Sequence, residues 1–312
     1  MKIQRKKTRK KNRKKNKYIL GANNSVIYFC KSNIFKILFI IYLYLFLIIY
    51  NPKVFKENNN IKVSNFLSEE KNNYKNRINE IINMKKVAYT AIIGNYDKLK
   101  KIIYKQDDWD YFAFLSPYDK NKYKNSKWTI LPISDDILNI NMSNYKKQRY
   151  LKMHPHLLFP NYTISLYIDG SISIKGDLNE FLLRLLTPNY NLFMLEHPER
   201  NCIYQEMEEV VALKREKKEK TDFLENKLLK ENFPKEYGLI EGNIIVRKHN
   251  EKECIEFMEE WWKMVKNYSY RDQVSFNYIL WKNGFKIKYF SKRFSRSYFK
   301  HKIRHLIRDK IK

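Results

Sequence analysis

The 312-residue chain is poor in three residue types, with only three cysteines, seven glycines and eight prolines. The cysteines, Cys30, Cys202 and Cys254, are too few for a disulfide framework and lack the spacing of a metal site. Cys202 and Cys254 either form one disulfide or remain two buried thiols. No glycine belongs to a Gly-x-Ser-x-Gly sequence, and the six histidines form no metal-binding motif. The sequence therefore lacks the motifs of a serine hydrolase and of a zinc hydrolase.

Acidic residues are also scarce, because 33 Asp and Glu stand against 62 Lys and Arg, for a formal net charge of +29. The excess is concentrated at the two ends of the chain. Residues 1–17 hold eleven basic residues and no acid, and residues 292–312 hold nine basic residues and one acid. We find no nucleic-acid-binding module and no basic face interleaved with aromatic residues, so nucleic acid is not the expected partner. An anionic membrane surface explains the amino-terminal tail better.

Hydrophobic residues make up 44% of the chain, which is enough for a folded core, and one long apolar run precedes it. Residues 34–50 are apolar except for Lys36, which lies near one end of the run. A membrane-spanning helix needs about 17–25 such residues. A cleavable signal peptide would need a small-residue cleavage site, which residues 51–55 do not supply, and a core helix would not have polar flanks on both sides. We predict a single transmembrane anchor over residues 34–50.

Flanking charge predicts the orientation of this anchor. The basic tail, residues 1–33, is expected in the cytoplasm, with the rest of the chain luminal or extracytoplasmic, as in a type II membrane protein of the Golgi or endoplasmic reticulum if the cell is eukaryotic. Residues 51–85 are rich in Asn, Lys and Glu and are expected to form a solvated or loosely helical stem. Asn141, Asn161 and Asn267 begin N-glycosylation sequences, which agrees with a luminal location.

Beyond the stem, short apolar runs alternate with helical patterns. Strands are predicted over residues 87–93, 111–115, 128–131, 165–168, 191–195 and 238–247. Helices are predicted around residues 147–152, 178–186, 203–232, 254–265 and 269–280. This alternation predicts an α/β domain with a mostly parallel sheet over residues 86–290. Residues 291–312 are expected to form a basic carboxyl-terminal tail.

Two acids are the strongest candidates for a functional site. The apolar run that ends at Asp169 is followed at once by Gly-Ser, so a buried strand would deliver this carboxylate to the carboxyl edge of the sheet, where ligands bind. The alternative is an ordinary Asp-Gly turn. Asp272 is expected in the first turn of a helix capped by Ser269. It either stabilises the helix dipole or contacts a substrate.

Five segments carry a resemblance to a known family over residues 86–290. They are Tyr89–Asp97, Arg149–His156, Ser165–Gly170, His197–Tyr204 and Arg271–Phe276. In order and spacing they resemble a glycosyltransferase-like family, once catalogued as a domain of unknown function, whose plant members are linked to cell-wall mucilage and pollen-tube turgor. The resemblance implies a GT-A-like, Rossmann-like fold and a nucleotide-sugar donor bound at the carboxyl edge of the sheet.

The resemblance and the residue chemistry together assign expected roles. Catalytic residues would be Asp169, Asp272 and Gln273. The donor would contact Tyr96, Asp97, Arg149, Lys152, Asp169, Ser171, Asn243 and Arg271. The acceptor side would include His197 and Arg200. Several of these have plain structural alternatives: Arg149 and Lys152 on a solvated helix face, and Asn243 in a strand bulge. Trp261 and Trp262 are expected in the core of their helix rather than at a sugar.

A divalent cation, Mn²⁺ or Mg²⁺, is the cofactor that the resemblance to GT-A enzymes brings into consideration. GT-A enzymes hold it with an Asp-x-Asp turn, in which Asp169 here matches the first acid and Ser171 takes the place of the second. A hydroxyl is a weaker ligand for a hard cation than a carboxylate, so Asp169 is the one predicted metal ligand and metal dependence stays open. Arg149 and Lys152 are the alternative source of positive charge at the diphosphate.

The predicted function is a membrane-anchored glycosyltransferase that moves a sugar from a nucleotide-sugar donor to a glycan, lipid or protein acceptor. Two alternatives are weighed beside it. One is a lipid-amide hydrolase at the membrane surface, an activity that has been described for a plant member of the family. The other is a non-catalytic membrane protein with a GT-A-like fold.

Overall fold

A computed structural model describes residues 69–94, 97–116, 119, 121–133, 141–269 and 271–301. The chain divides into two compact units, residues 1–75 and 76–312, and of the first unit only the helical residues 69–75 are described. The predicted tail and anchor, together with residues 51–68 of the predicted stem, lie outside the described residues. No helix within the described ranges has the length and apolar character needed to cross a membrane.

A seven-stranded sheet forms the centre of the second unit, in the order β3-β2-β1-β4-β7-β6-β8. Its strands are β1 (Lys86–Ile92), β2 (Trp109–Leu115), β3 (Thr129–Pro132), β4 (Ile164–Ile168), β6 (Leu192–Glu196), β7 (Ile240–Arg247) and β8 (Lys288–Phe290). Only β7 runs antiparallel to its neighbours, β4 and β6. The remaining pairs are parallel, which confirms the predicted α/β class with a mostly parallel sheet. Because β7 is reversed, its first residues lie at the same edge as the last residues of β4 and β6.

Helices cover both faces of the sheet. They are α1 (Asn144–Met153), α2 (Pro155–Leu158), α3 (Leu178–Leu185), α4 (Ile203–Ala212), α5 (Lys218–Lys230), α6 (Lys252–Asn267), α7 (Gln273–Asn283) and α8 (Lys292–Tyr298). The single helix predicted over residues 203–232 is in fact two, α4 and α5. Lys214 between them has a φ of 54°, a left-handed conformation that an α-helix cannot contain.

Two apolar clusters form the core, one on each face. In β1, Val87, Tyr89 and Ala91 belong to one cluster, whereas Ala88 and Ile92 belong to the other, as strand alternation requires. The first cluster is covered by α1, α4, α5, α6 and α7, and the second by residues 76–83, α3 and α8. Trp261 and Trp262 are buried in the first cluster, as predicted. Cys202 and Cys254 are buried free thiols, so no disulfide joins them.

Parts of both segments that flank the predicted domain are packed into it. Arg77, within the predicted stem, donates a hydrogen bond to the carbonyl of Leu183 at 2.7 Å, and Ile81 is buried. Beyond residue 290, α8 is followed by β9 (Phe299–His301), which pairs antiparallel with β5 (Ile172–Ile174) just after Asp169. The first part of the predicted basic tail is therefore a structural element beside the sheet edge, and residues 302–312 lie outside the described residues.

Candidate active site

A cavity of about 430 Å³ opens at the carboxyl edge of the sheet. Its walls come from the ends of β1, β4 and β6, the start of β7, and helices α1 and α7. Ten of the predicted site residues line it: Asp97, Arg149, Lys152, Asp169, His197, Arg200, Asn243, Arg271, Asp272 and Gln273. Ser171 lies in the turn after Asp169 and is not among the lining residues. Tyr96 lies outside the described residues.

Asp169 follows directly after β4 and is held on both sides. Its backbone N–H donates to the carbonyl of Asn243 at 2.9 Å, and its Oδ1 accepts from the Tyr167 hydroxyl at 2.9 Å. Burial and then the charge of Asp169 raise the pKa of Tyr167 well above its ordinary value, so this hydroxyl stays a neutral donor. At Gly170, an added Cβ would lie 2.6 Å from Ile92, so the Asp-Gly sequence is required by close packing of β1 against β4.

Asp272 also lines the cavity, immediately before α7, and its exposure is only 3%. Its Oδ2 accepts from Lys152 Nζ and lies 3.2 Å from Arg149 Nε. Its backbone carbonyl accepts from Trp261 Nε1 at 3.0 Å. The neighbouring Gln273 donates through Nε2 to the Ile240 carbonyl at 3.0 Å, which joins α7 to β7. The two predicted acids thus line one cavity, and the charge of each acts on Lys152.

The predicted capping of α7 is wrong. Ser269 does not cap the helix; its Oγ accepts from the backbone N–H of Arg271 at 3.1 Å and donates to Glu216 Oε2 at 2.6 Å. Asp272 occupies the position before the first helical residue, and its side chain makes no capping hydrogen bond. The carboxylate turns toward Lys152 and Arg149 because full charges attract it more strongly than backbone N–H groups do.

The ionisation of Asp272 follows from these neighbours. Burial alone would raise the pKa of its carboxyl, but the charges of Arg149 and Lys152 outweigh burial and hold that pKa well below its usual range. Burial lowers the pKa of Lys152, and this change is opposed by the carboxylates of Asp272 and Asp169. Asp272 is therefore an ionised hydrogen-bond acceptor at neutral pH.

Two buried residues that sequence reasoning missed hold Lys152 in position. Arg247, on β7, is 0% exposed and donates to the Lys152 carbonyl at 2.8 Å and to the Tyr89 hydroxyl at 2.6 Å. Tyr89 itself donates to the same carbonyl at 2.9 Å. Beyond the backbone, Lys152 Nζ lies 5.2 Å from the ring centre of Tyr167. Nothing in the local sequence of β7 indicates that Arg247 contacts the end of a helix 95 positions away.

The acceptor-side predictions, His197 and Arg200, form one cluster with Glu206. Arg200 Nε donates to Glu206 Oε2 at 2.8 Å. Burial raises the pKa of Glu206 against the charges of Arg200, Arg271 and Arg215. His197 Nδ1 accepts from the backbone N–H of Arg200 at 3.0 Å, and burial followed by the Arg200 charge lowers the pKa of His197, which keeps it neutral. Glu206 and Arg215 were missed, because residues 203–232 were predicted only as a helical, heavily charged stretch and no site role was assigned within it.

The first residues of β7 complete the wall. A Cβ at Gly242 would lie 3.2 Å from Lys152 Nζ and 3.3 Å from Asp272 Oδ2, so glycine allows the backbone to approach this ion pair. Asn243 Nδ2 donates to Glu241 Oε1 at 2.8 Å, and Asn243 Oδ1 is buried without a hydrogen-bond partner. The register between β6 and β7 also shifts here, so the predicted bulge and the predicted ligand contact both remain compatible with this position.

The residues at Asp169 do not fit a protein-held metal centre. Within the described residues no three His, Cys, Asp or Glu side chains form a group that could hold a metal ion. Mg²⁺ is usually held through one or two carboxylates together with substrate phosphates and water, so Asp169 alone would leave most of the coordination to the donor and to water. Ser171, in the place of the second acid, is outside the cavity lining. We therefore derive no step through a metal ion.

Comparison with solved structures gives distant similarity to several glycosyltransferases. A structure described as WbbM bifunctional glycosyltransferase has a TM-score of 0.41 and 17% identity, over 67% of this chain and 39% of that one. Mouse xyloside xylosyltransferase 1 has a TM-score of 0.40 and 8% identity, over 66% and 84%. A glycosyltransferase involved in glycosylation of the major capsid of PBCV-1 has a TM-score of 0.37 and 8% identity, over 69% and 92%. No curated protein matches the chain significantly.

Comparison with protein families gives a match that covers most of the chain. The TOD1/MUCI70 glycosyltransferase-like domain matches residues 69–305, which include all the residues that line the cavity and extend beyond the predicted domain at each end. The resemblance inferred from the five sequence segments is confirmed by this match. The chain belongs to the TOD1/MUCI70 glycosyltransferase-like family.

Proposed function

We propose that this protein is a membrane-anchored glycosyltransferase that transfers a sugar from a nucleotide-sugar donor to an acceptor hydroxyl. The observation that carries the proposal is the convergence of Asp169 and Asp272, from two separate elements, on one cavity with Arg149 and Lys152. The family match supports the reaction class. The divalent cation is not part of the proposal.

The charges of the cavity suit the breaking bond. In sugar transfer the bond from the anomeric carbon to a phosphate oxygen breaks, and negative charge grows on the diphosphate that leaves. Arg149, Lys152 and Arg271 line the cavity, and fixed cations in a partly enclosed site stabilise such charge. The new bond forms to the acceptor oxygen, whose proton passes to solvent water. The side-chain oxygens of Asp272 and Asp169 are suited to accept hydrogen bonds from hydroxyl groups of the donor sugar.

The proposal is tested by binding. The purified full-length chain in detergent is heated with a panel of sugar nucleotides, with and without Mn²⁺. A ligand at 100 times its Kd should stabilise the folded state by about 2.7 kcal/mol. We expect one sugar nucleotide to raise the melting temperature selectively, and Asp169→Asn to lower transfer at least a hundredfold.

Asp222→Asn is the matched control, because Asp222 is an exposed acid on α5 that pairs with Lys218. It should keep both the thermal shift and transfer. If no sugar nucleotide stabilises the wild type, or if Asp169→Asn transfers as well as the control, the proposal fails. The hydrolase alternative has less support, because the described residues that line the cavity include no Ser, Thr or Cys that would act as a nucleophile.

A further inference from the structure

A second cavity, of about 450 Å³, adjoins the first. His197 and Arg200 line both cavities, so a ligand in the second would reach the first across these two residues. The other walls are the loop after β6, the segment that leads into β7, and β8.

Two exposed tyrosines form its apolar surface. Tyr237 is 41% exposed and Tyr289 is 36% exposed, although each also contacts a buried side chain of the fold. The Tyr289 hydroxyl accepts from the buried Asn277 Nδ2 at 2.9 Å, and burial raises the pKa of Tyr289 to about 12, so it is uncharged. The Tyr237 ring meets Phe233 edge-on, with 5.8 Å between ring centres. Both rings are therefore held in place before any ligand binds.

The backbone around the tyrosines is equally well defined. Gly238 has a φ of 90°, and its N–H donates to the Asn201 carbonyl at 2.8 Å. The His197 N–H donates to the Leu239 carbonyl at 2.9 Å. A Cβ at position 238 would lie 3.1 Å from Asn277 Nδ2, so glycine is needed both for its backbone conformation and for its lack of a side chain. The cavity is a preformed feature of the fold, as binding sites usually are.

The charge of the rim argues against an anionic ligand. Glu196 and Glu199 are exposed lining residues, and Arg200, the cation among the described lining residues, pairs with Glu206 at 2.8 Å and with Glu199 at 3.9 Å. Carboxylates facing a phosphate or a sulfate would repel it. Flat aromatic faces next to carboxylate and amide acceptors suit a neutral ligand that has a C–H face and many hydroxyl donors. A sugar ring has both.

We propose that this second cavity binds a neutral carbohydrate acceptor, with Tyr237 and Tyr289 as the surface on which its sugar rings pack. This inference rests on the proposed function and narrows it, because it selects a glycan from the three acceptor classes. Glu196, Glu199 and Asn201 accept hydrogen bonds from the sugar hydroxyls. The hydroxyl that receives the transferred sugar would lie toward His197, where the two cavities meet.

The test measures oligosaccharide binding directly. Neutral tetrasaccharides of glucose, mannose, galactose or xylose are added to the full-length chain, and binding is followed by saturation-transfer difference NMR. We expect at least one to bind the wild type, and Tyr237→Ala and Tyr289→Ala each to weaken it tenfold or more. Tyr289→Phe, which keeps the ring, should stay within threefold of wild type. Tyr104→Ala is the matched control, because Tyr104 is 45% exposed and lines neither cavity.

A second arm tests the charge of the rim. A sulfated form of the best tetrasaccharide should bind more weakly than the neutral form, and Glu199→Gln should narrow that difference. Melting temperatures of all variants show whether each is folded. If no tetrasaccharide binds the wild type, or if folded Tyr237→Ala and Tyr289→Ala bind as well as Tyr104→Ala, the inference is overturned.

The same samples separate this inference from the proposed function. Sugar-nucleotide stabilisation depends on Asp169, whereas tetrasaccharide binding depends on Tyr237 and Tyr289. If sugar nucleotides stabilise the protein but the tyrosine variants change nothing, the transferase stands and the second cavity is not the acceptor site. If tetrasaccharides bind through the tyrosines while no sugar nucleotide binds, the carbohydrate site stands and the transferase proposal fails.

Discussion

Single residues around the first cavity are held by charge as much as by apolar packing. Lys152 shows this most clearly: its backbone is bound by Tyr89 and Arg247, and its side chain by Asp272. All four are 3% exposed or less. Buried charges are tolerated only when paired, so removing one partner should cost more than the contact itself contributes.

Replacing Asp272 with Asn tests this at one residue. The change leaves Lys152 and Arg149 facing a neutral amide, which should lower the free energy of unfolding at pH 7 by about 3–5 kcal/mol. The measurement is urea denaturation of wild type and variant. Asp222→Asn, at an exposed position, should change stability by less than about 0.5 kcal/mol. Equal stability of Asp272→Asn and wild type at pH 7 would contradict the ion pair.

The pH dependence of that difference has a defined sign. The folded-state pKa of Asp272 is depressed, so its stabilisation is fully present above the ordinary Asp pKa of about 3.9 and is lost as pH falls toward the lower folded value. Wild type and Asp272→Asn should therefore converge in stability below about pH 4. A difference in unfolding free energy that stays constant from pH 7 to pH 3 would show that the variant is destabilised by steric effects and not by the loss of charge.

At the scale of elements, the reversed strand β7 determines which residues face the cavity. Had it run parallel to β4 and β6, its first residues, Glu241 to Asn243, would lie at the far edge of the sheet. Antiparallel pairing brings Gly242 next to Lys152 and Asp272. Lys292, at the start of α8, then binds Glu241 at 2.9 Å. One strand orientation thus adds three residues to the wall.

Gly242→Ala tests this close approach. Its φ is not in the left-handed region, so any effect comes from space and not from backbone strain. The added methyl would press on both partners of the ion pair and should cost about 1–3 kcal/mol in chemical denaturation. In contrast, Gly284 has a φ of 62° and open space around it, so Gly284→Asn should be tolerated much better. A Gly242→Ala protein as stable as wild type would contradict the packing at the start of β7.

For the whole molecule, the prediction concerns the membrane. We expect the full-length chain to sediment with membranes and resist carbonate extraction, and deletion of residues 34–50 to release it, because the apolar run is at the length limit for a bilayer span. Asn141, Asn161 and Asn267 are exposed in the fold. In the type II orientation these three residues would lie on the luminal side, so we expect each to be glycosylated. Each single Asn→Gln change should then remove one glycan.

The control for this topology is protease treatment of sealed vesicles. Residues 1–33 should be digested while the folded domain is protected. Full protection of the tail, or a full-length chain that carbonate extracts completely, would contradict the predicted anchor. Absence of glycosylation alone would not contradict the predicted anchor, because an exposed N-glycosylation sequence is necessary for glycosylation but is not always modified.

The sequence predicted much of the fold because its signals are local. The strand before Asp169 and the amphipathic pattern of α6 depend on residues close in the chain, and both are found where expected. The helix predicted over residues 203–232 is interrupted at Lys214. The left-handed conformation of Lys214 was not predicted, because nothing in this charged segment distinguishes the residue. The capping role expected of Ser269 failed since its hydroxyl binds Glu216, 53 positions away.

What the sequence determined by itself was the α/β class, the family, and ten residues that meet in one cavity, because strand ends and motif order are written in consecutive residues. The tertiary structure alone decided the ionisation of Asp272, the support of Lys152 by Arg247, and the second cavity at Tyr237 and Tyr289. Each of these features depends on side chains that are distant in the sequence but close together in the buried interior, where the dielectric constant is low. Which side chains meet there is determined by the tertiary fold and not by the local sequence pattern.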